Sequence, residues 1–215
     1  MDKKPNLIIF ASGSRESGGS GFENLVKSVT SGILDAYIVG VVSNYGDGGA
    51  CEKAARLGVK FIHFPGPYTA ENYQKIFQDS GADYAALSGW LKLVNGLDSV
   101  KTFNIHPGPL PKFGGGGMYG HYVHEAVMRA YKKGEVTHSA VTMHFVTDKY
   151  DEGPVFFRYP VEILPDDTPE TLAKRVNEAE HKYQPIITNL VVHREISWDG
   201  RDSKTLKVPH DYKFL

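Results

Sequence analysis

Asn104 and His106, within residues 103–111 (FNIHPGPLP), have the types and the spacing to do chemistry together. Residues 101–106 read as a short β-strand that stops at Pro107. Proline has no N–H to continue a ladder, and it biases the residue before it toward extended backbone. Residues two apart in a strand point to the same side. The amide and the imidazole therefore project together from a strand end, beside a loop too rich in glycine and proline to cover them. An amide donor next to an imidazole suits acyl transfer, since the asparagine N–H can hold a developing oxyanion and histidine moves protons near neutral pH. A turn-forming asparagine beside a surface histidine would leave the same pattern, so the rest of the chain has to decide.

The elements before this strand converge on its end. Residues 7–11 (LIIFA) form a continuous apolar run, the pattern of a strand covered on both faces of a parallel sheet. The run leads into a glycine- and serine-rich segment, residues 12–21, and then into a helical pattern toward Val29. Strand, glycine-rich loop and helix start gather free backbone N–H groups at a positive helix end, where anions bind. Ser14, Ser17 and Ser20 add hydroxyl donors there. No Gly-Lys-Ser/Thr follows, which excludes a Walker A loop. The glycine spacing and the Ser43-Asn44 end of the second strand, residues 36–42, also fit a dinucleotide fingerprint poorly. Further strands are expected at residues 59–64 and 84–87, with helices at 50–57 and 69–78. Strands alternating with helices predict a doubly wound, mostly parallel α/β sheet. Ligands sit at the carboxyl edge of such a sheet, where the glycine-rich loop, residues 88–94 (SGWLKLV) and the Asn104–His106 end all open. Trp90 reads as core packing, although so apolar a loop could also wall a flat heterocycle.

The second half departs from strict alternation. Residues 113–120 (FGGGGMYG) precede a helix toward Tyr131. His121 and His124 share one side of it and invite a metal reading, but the HExxH order and a well-spaced third ligand are missing. Residues 139–146 and 155–161 flank an acidic turn and predict an antiparallel hairpin at the sheet edge, where Pro160 is tolerated. One carboxylate of that turn reaching back to His106 would orient the ring and favour the imidazolium. Asp167-Thr168-Pro169-Glu170 is a helix start, and the helix is expected to kink or restart at Pro185. Residues 194–198 suggest a last strand. The chain is expected to form one domain over residues 1–203, with a phosphate- and nucleotide-binding half (1–100), a catalytic half (101–203) and a tail at 204–215.

The totals bound the function. A formal net charge of −1 gives no basic footprint for nucleic acid or an anionic membrane. One cysteine, Cys51, cannot form an internal disulfide. No stretch approaches a membrane span, and residues 7–11 are too short for the apolar core of a signal peptide. The expectation is a cytoplasmic protein acting on small molecules.

In order and at their separations, several motifs make the chain resemble the glycinamide ribonucleotide formyltransferases, folate-dependent enzymes of purine biosynthesis. They are Ser12-Gly13 with residues 19–25 (GSGFENL), Val42-Ser43-Asn44, residues 88–93 (SGWLKL), Asn104-Ile105-His106-Pro107 with residues 110–113 (LPKF), residues 144–154 (HFVTDKYDEGP), and Glu180-His181. The resemblance implies a Rossmann-like formyltransferase fold and a catalytic trio of Asn104, His106 and Asp151. It implies that Gly18, Gly19, Ser20, Gly21 and Asn24 hold the substrate phosphate and that Glu180 contacts the ribose. It further implies that Leu91, Lys92, Leu93, Val94, Asn104, Thr147 and Asp148 hold 10-formyltetrahydrofolate, with no metal and with the chain a monomer or homodimer. Three features depart from the family pattern: extra residues around 14–17, Lys92 where an arginine is familiar, and no basic residue in residues 68–73 (YTAENY). Alternatives are a sugar-nucleotide formyltransferase, a formyltetrahydrofolate hydrolase, which would want a domain before the first strand, and a silent nucleotide-binding module. A methionyl-tRNA formyltransferase would want a basic C-terminal domain.

Overall fold

A run apolar on both faces belongs in the middle of a sheet, and Asn6–Phe10 (β1) lies there, with Leu7, Ile8, Ile9 and Phe10 fully buried. The computed structural model describes residues 3–12 and 18–215, so Ser14 and Ser17 of the glycine-rich loop lie outside the described residues. After β1 come α1 (Ser20–Thr30), β2 (Tyr37–Ser43), α2 (Gly49–Leu57), β3 (Phe61–His63), α3 (Ala70–Ser80), β4 (Tyr84–Ser88) and β5 (Thr102–His106). The second half adds α4 (His121–Lys132), β6 (His138–Phe145), β7 (Val155–Glu162) and α5 (Pro169–Val192). The strands form one sheet in the order β3-β2-β1-β4-β5-β6-β7. The pairings from β3 to β5 are parallel, while β5–β6 and β6–β7 are antiparallel. This is the doubly wound sheet with an edge hairpin that the alternation of elements predicts.

The period of two along β1 divides the core. Leu7 and Ile9 join Phe22 and Leu25 of α1, Val127 of α4 and Ile187 of α5 on one face. Ile8 and Phe10 join Tyr73 and Trp90 on the other. Trp90 is buried there as expected, its Nε1–H donating to the Tyr73 hydroxyl at 3.0 Å. Helix starts follow their caps: Thr69 accepts from the Asn72 N–H, and Thr168 exchanges hydrogen bonds with Thr171 around Pro169.

Three expectations need correction. Helix α5 does not restart at Pro185; it runs as one helix from Pro169 to Val192. The last strand expected at residues 194–198 is a single bridge between Ser197 and Lys207. The tail expected at residues 204–215 is packed: the Phe214 carbonyl accepts from the Arg158 N–H of β7 at 2.7 Å. Its ring lies 5.1 Å from that of Phe157 and 5.6 Å from that of Tyr183. An edge strand with unmet N–H groups attracts whatever chain can cover it, and here the chain's own end does so. Phe214→Ala should therefore cost about 2 kcal/mol in chemical denaturation; an unchanged midpoint would show that the end is not packed.

Candidate active site

β1 is hydrogen-bonded to β2 on one side and β4 on the other, so the chain order reverses at this strand and the loops after β1 and β4 part there. Such a switch point is where doubly wound sheets bind ligands. A cleft of about 740 Å³ opens at it, lined among others by Gly18–Gly21 of the first loop, Leu91–Val94 of the loop after β4, and Asn104, His106 and Asp151.

The catalytic face is built by strand register. Asn104 pairs with His144 across the β5–β6 ladder and His106 with Thr142, so all four side chains share one face. The Thr142 hydroxyl donates to the Gly108 carbonyl at 2.8 Å. His144 has Nδ1 2.8 Å from the Phe145 carbonyl, which places the proton on Nδ1. Its Nε2 then faces the Asn104 amide nitrogen at 3.1 Å and the Asp151 Oδ1 at 3.3 Å. His106 has Nε2 2.7 Å from the Phe113 carbonyl and turns Nδ1 toward Asp151 Oδ2 at 3.7 Å. Asp151 is thus reached by Asn104 Nδ2 at 3.4 Å, by both imidazoles, and by the Gly115 N–H at 2.9 Å.

Glycines bring the acidic turn to this face. A Cβ on Gly153 would collide with the Phe145 carbonyl, so only glycine lets the segment after β6 fold back so closely. A Cβ on Gly114 would sit 2.9 Å from the Asp151 Cβ. The glycine-rich segment at residues 113–120 therefore wraps the carboxylate. Asp151 itself has φ 55°, left-handed backbone that costs an aspartate energy and clusters at functional sites.

Burial decides the charges. It pushes the His106 pKa below the ordinary histidine value, although Asp151 and the Phe113 carbonyl both push it up. Burial thus favours the neutral ring, contrary to the imidazolium that a nearby carboxylate leads one to expect. Asp151 is pulled the other way: burial opposes its charge, but His144, His106 and the Gly115 N–H hold its pKa below the usual value. Burial also takes His124, on the cleft wall, down to about 4 and Glu180 up to about 7, with only Asn177 opposing it.

Most of the anticipated site residues reach the cleft. Gly18 and Gly19 have φ 118° and 72° and deliver Ser20 and Gly21 to the start of α1, where Gly19 is the N-cap. Glu180 lines the cleft, half-buried, with Asn177 Nδ2 3.2 Å from Oε2. Leu91, Lys92, Leu93, Val94 and Thr147 also line it. Lys92 lies 5.5 Å over the Tyr68 ring.

Two anticipated residues do not reach it. Asn24 is not on the cleft wall: its amide donates to the His181 carbonyl of α5 at 2.7 Å. Asp148 is exposed and borders a separate hollow of about 250 Å³ beside Thr147 and Trp198, because the tight turn there faces it outward. His121 Nε2 lies 3.1 Å from Glu125 Oε1 and 3.7 Å from Glu170 Oε1. The residues that sequence reasoning missed are His144, Gly115 and His181. Only the β5–β6 register would have exposed His144, since its ring matters by standing opposite Asn104.

Comparison with known proteins agrees with this geometry. The pattern of the formyl transferase family matches residues 6–188. The chain is 32% identical to the chloroplastic phosphoribosylglycinamide formyltransferase of Arabidopsis thaliana, over 91% of this chain and 68% of that protein. It is 30% identical to the enzyme of the same name from Vigna unguiculata, over 91% of this chain and 64% of that one, and so spans about two thirds of these relatives. The crystal structure of glycinamide ribonucleotide transformylase 1 from Symbiobacterium toebii superposes with a TM-score of 0.79 at 26% identity, over 95% of this chain and 94% of that one. The family pattern spans most of the sequence, and the catalytic face stands within it: this chain belongs to the formyl transferase family.

Proposed function

We propose that the chain is a phosphoribosylglycinamide formyltransferase, moving the formyl group of 10-formyltetrahydrofolate onto the glycinamide amine of 5-phosphoribosylglycinamide in purine biosynthesis. The observation that carries this reading is the meeting of Asn104, His106 and Asp151 in the cleft that also holds the anion-ready start of α1. Leu91, Leu93 and the buried Val94 give that cleft an apolar wall that fits a flat heterocycle. The free N–H groups of the first turn of α1 suit a phosphate. Glu180, half-buried near them, offers carboxyl oxygens to ribose hydroxyls.

When bound, 10-formyltetrahydrofolate supplies a formyl group activated on N10. The chain's residues do the rest. As the substrate amine adds to the formyl carbon, charge builds on the formyl oxygen, and Asn104 can turn its amide N–H from Asp151 to meet it. His106 is neutral, with Nε2–H held by the Phe113 carbonyl, so its Nδ1 lone pair is free to take the proton the amine sheds. Asp151, 3.7 Å away, stabilises the imidazolium once formed. The same proton, returned to N10 as the C–N10 bond breaks, releases tetrahydrofolate and the formylated amine.

A direct assay follows folate absorbance with 10-formyltetrahydrofolate and 5-phosphoribosylglycinamide. Turnover is expected only with the amine; turnover without it would replace this reading with a hydrolase. Asp151→Asn should lower kcat by roughly 10²–10⁴ and Asn104→Ala by roughly 10²–10³, both with unchanged circular dichroism. Near-normal rates in either would remove that residue from the chemistry.

The protonation order has its own test. NMR titration should find the His106 ring losing its proton below the ordinary histidine pKa of about 6.5. In Asp151→Asn that midpoint should move lower still, because a group that raises it is gone. A midpoint above the ordinary value would restore the imidazolium as the resting form.

A further inference from the structure

Pro185 lies inside α5 and has no N–H, so the carbonyl of His181, one turn earlier, lacks its helical donor. Asn24 of α1 supplies one: its Nδ2 donates to that carbonyl at 2.7 Å. The turn so held carries Glu180 and His181, both on the cleft wall. Directly above it, buried Gln184 donates from Nε2 to the Ser88 hydroxyl at 3.0 Å. This pair fills the space a side chain on Gly21 would need, with Gln184 Oε1 3.2 Å from where its Cβ would lie. Further along, the Asp35 N–H donates to Asn189 Oδ1 at 2.9 Å. Thus α1 is fastened to α5 at Asn24 and the segment after α1 at Asp35, and the first turn of α1 docks against the residues of α5 that face the cleft.

We propose that Asn24 and Pro185 form a latch that fixes the start of α1 against the Glu180–His181 turn, making Asn24 a positioning residue for the phosphoribosyl substrate and not a ligand to it. The proline leaves the His181 carbonyl without a helical donor and so reserves it for the other helix. Glu180 and the α1 N–H groups then keep one separation, as a ligand touching both requires. The choice of substrate rests on the function proposed above; the latch does not.

The test is a double-mutant cycle read in two ways. In steady-state formyl transfer, Asn24→Ala should raise the KM for 5-phosphoribosylglycinamide roughly threefold to tenfold, the worth of one hydrogen bond. kcat and the KM for the folate should stay near wild type. Asn24→Asp should do at least as much, since a carboxylate has no proton to give the carbonyl. In Pro185→Ala, where the residue 185 N–H can reach the His181 carbonyl, the Asn24→Ala effect should largely vanish, in KM and in urea denaturation alike. Additive effects, or a loss shared by kcat and both KM values, would overturn the latch. If wild type transfers no formyl group, the functional reading fails instead, and the urea cycle still decides the latch. Should Pro185→Ala not fold, the contrast of Asn24→Asp with wild type decides it, and an unchanged KM would refute it.

Discussion

The Asp151 carboxylate is the group on which the site depends. Its side chain is only 10% exposed, and a carboxylate taken that far from water stays charged only where donors replace the water. The Asn104 amide and the Gly115 N–H supply them, and the rings of His144 and His106 pack beside it. Each fixes something else in turn. The Gly115 N–H requires the glycine-rich segment to lie against the acidic turn, and His144 requires β6 to run antiparallel to β5 in this register. A slip of one residue would turn His144 to the far face. The edge hairpin is thus what lets a sheet of parallel strands complete a polar cluster at its ligand edge.

Burial raises the pKa of both carboxyl groups in the cleft, and their partners send them in opposite directions. The histidine rings and the Gly115 N–H hold the Asp151 pKa below its usual value against that burial, whereas Glu180, with only Asn177 opposing its burial, is pushed up to about 7. Environments that separate like groups in this way mark distinct roles. Asp151 can serve as a fixed charge beside a ring that changes protonation during turnover. Glu180 sits near its midpoint at neutral pH, and hydrogen-bond donors of an incoming ligand would decide its state. The lowered pKa of His106 belongs to the same balance, since burial outweighs an attraction acting over 3.7 Å.

What was legible in the sequence was whatever local rules govern. The apolar run of β1, the proline that ends β5 and the period of two that joins Asn104 to His106 needed no tertiary knowledge. The start of α5 at Thr168 was equally local. Hidden features depended on partners far along the chain. Asn24 looks like a loop ligand until a carbonyl 157 positions away claims its amide. Asp148 looks equivalent to Asp151 in an acidic turn, and only the path of that turn separates one that faces out from one that reaches the histidines. The C-terminal segment carries no periodicity, because it is ordered by an edge strand in need of a cover and not by an element of its own.

Pro185 shows how such a distant dependence is built. Within a helix a proline costs about 3 kcal/mol and would ordinarily bend or end it, which is why a break was expected. The helix instead continues, because the carbonyl the proline strands is satisfied from outside, by a side chain of α1. A local defect in one helix thereby becomes a specific contact with another. That contact falls on the turn carrying Glu180 and His181, at the cleft that α1 also opens. Distances across a ligand site are held best by bonds that span the elements bearing it, and no hydrogen bond internal to α1 or α5 can do this.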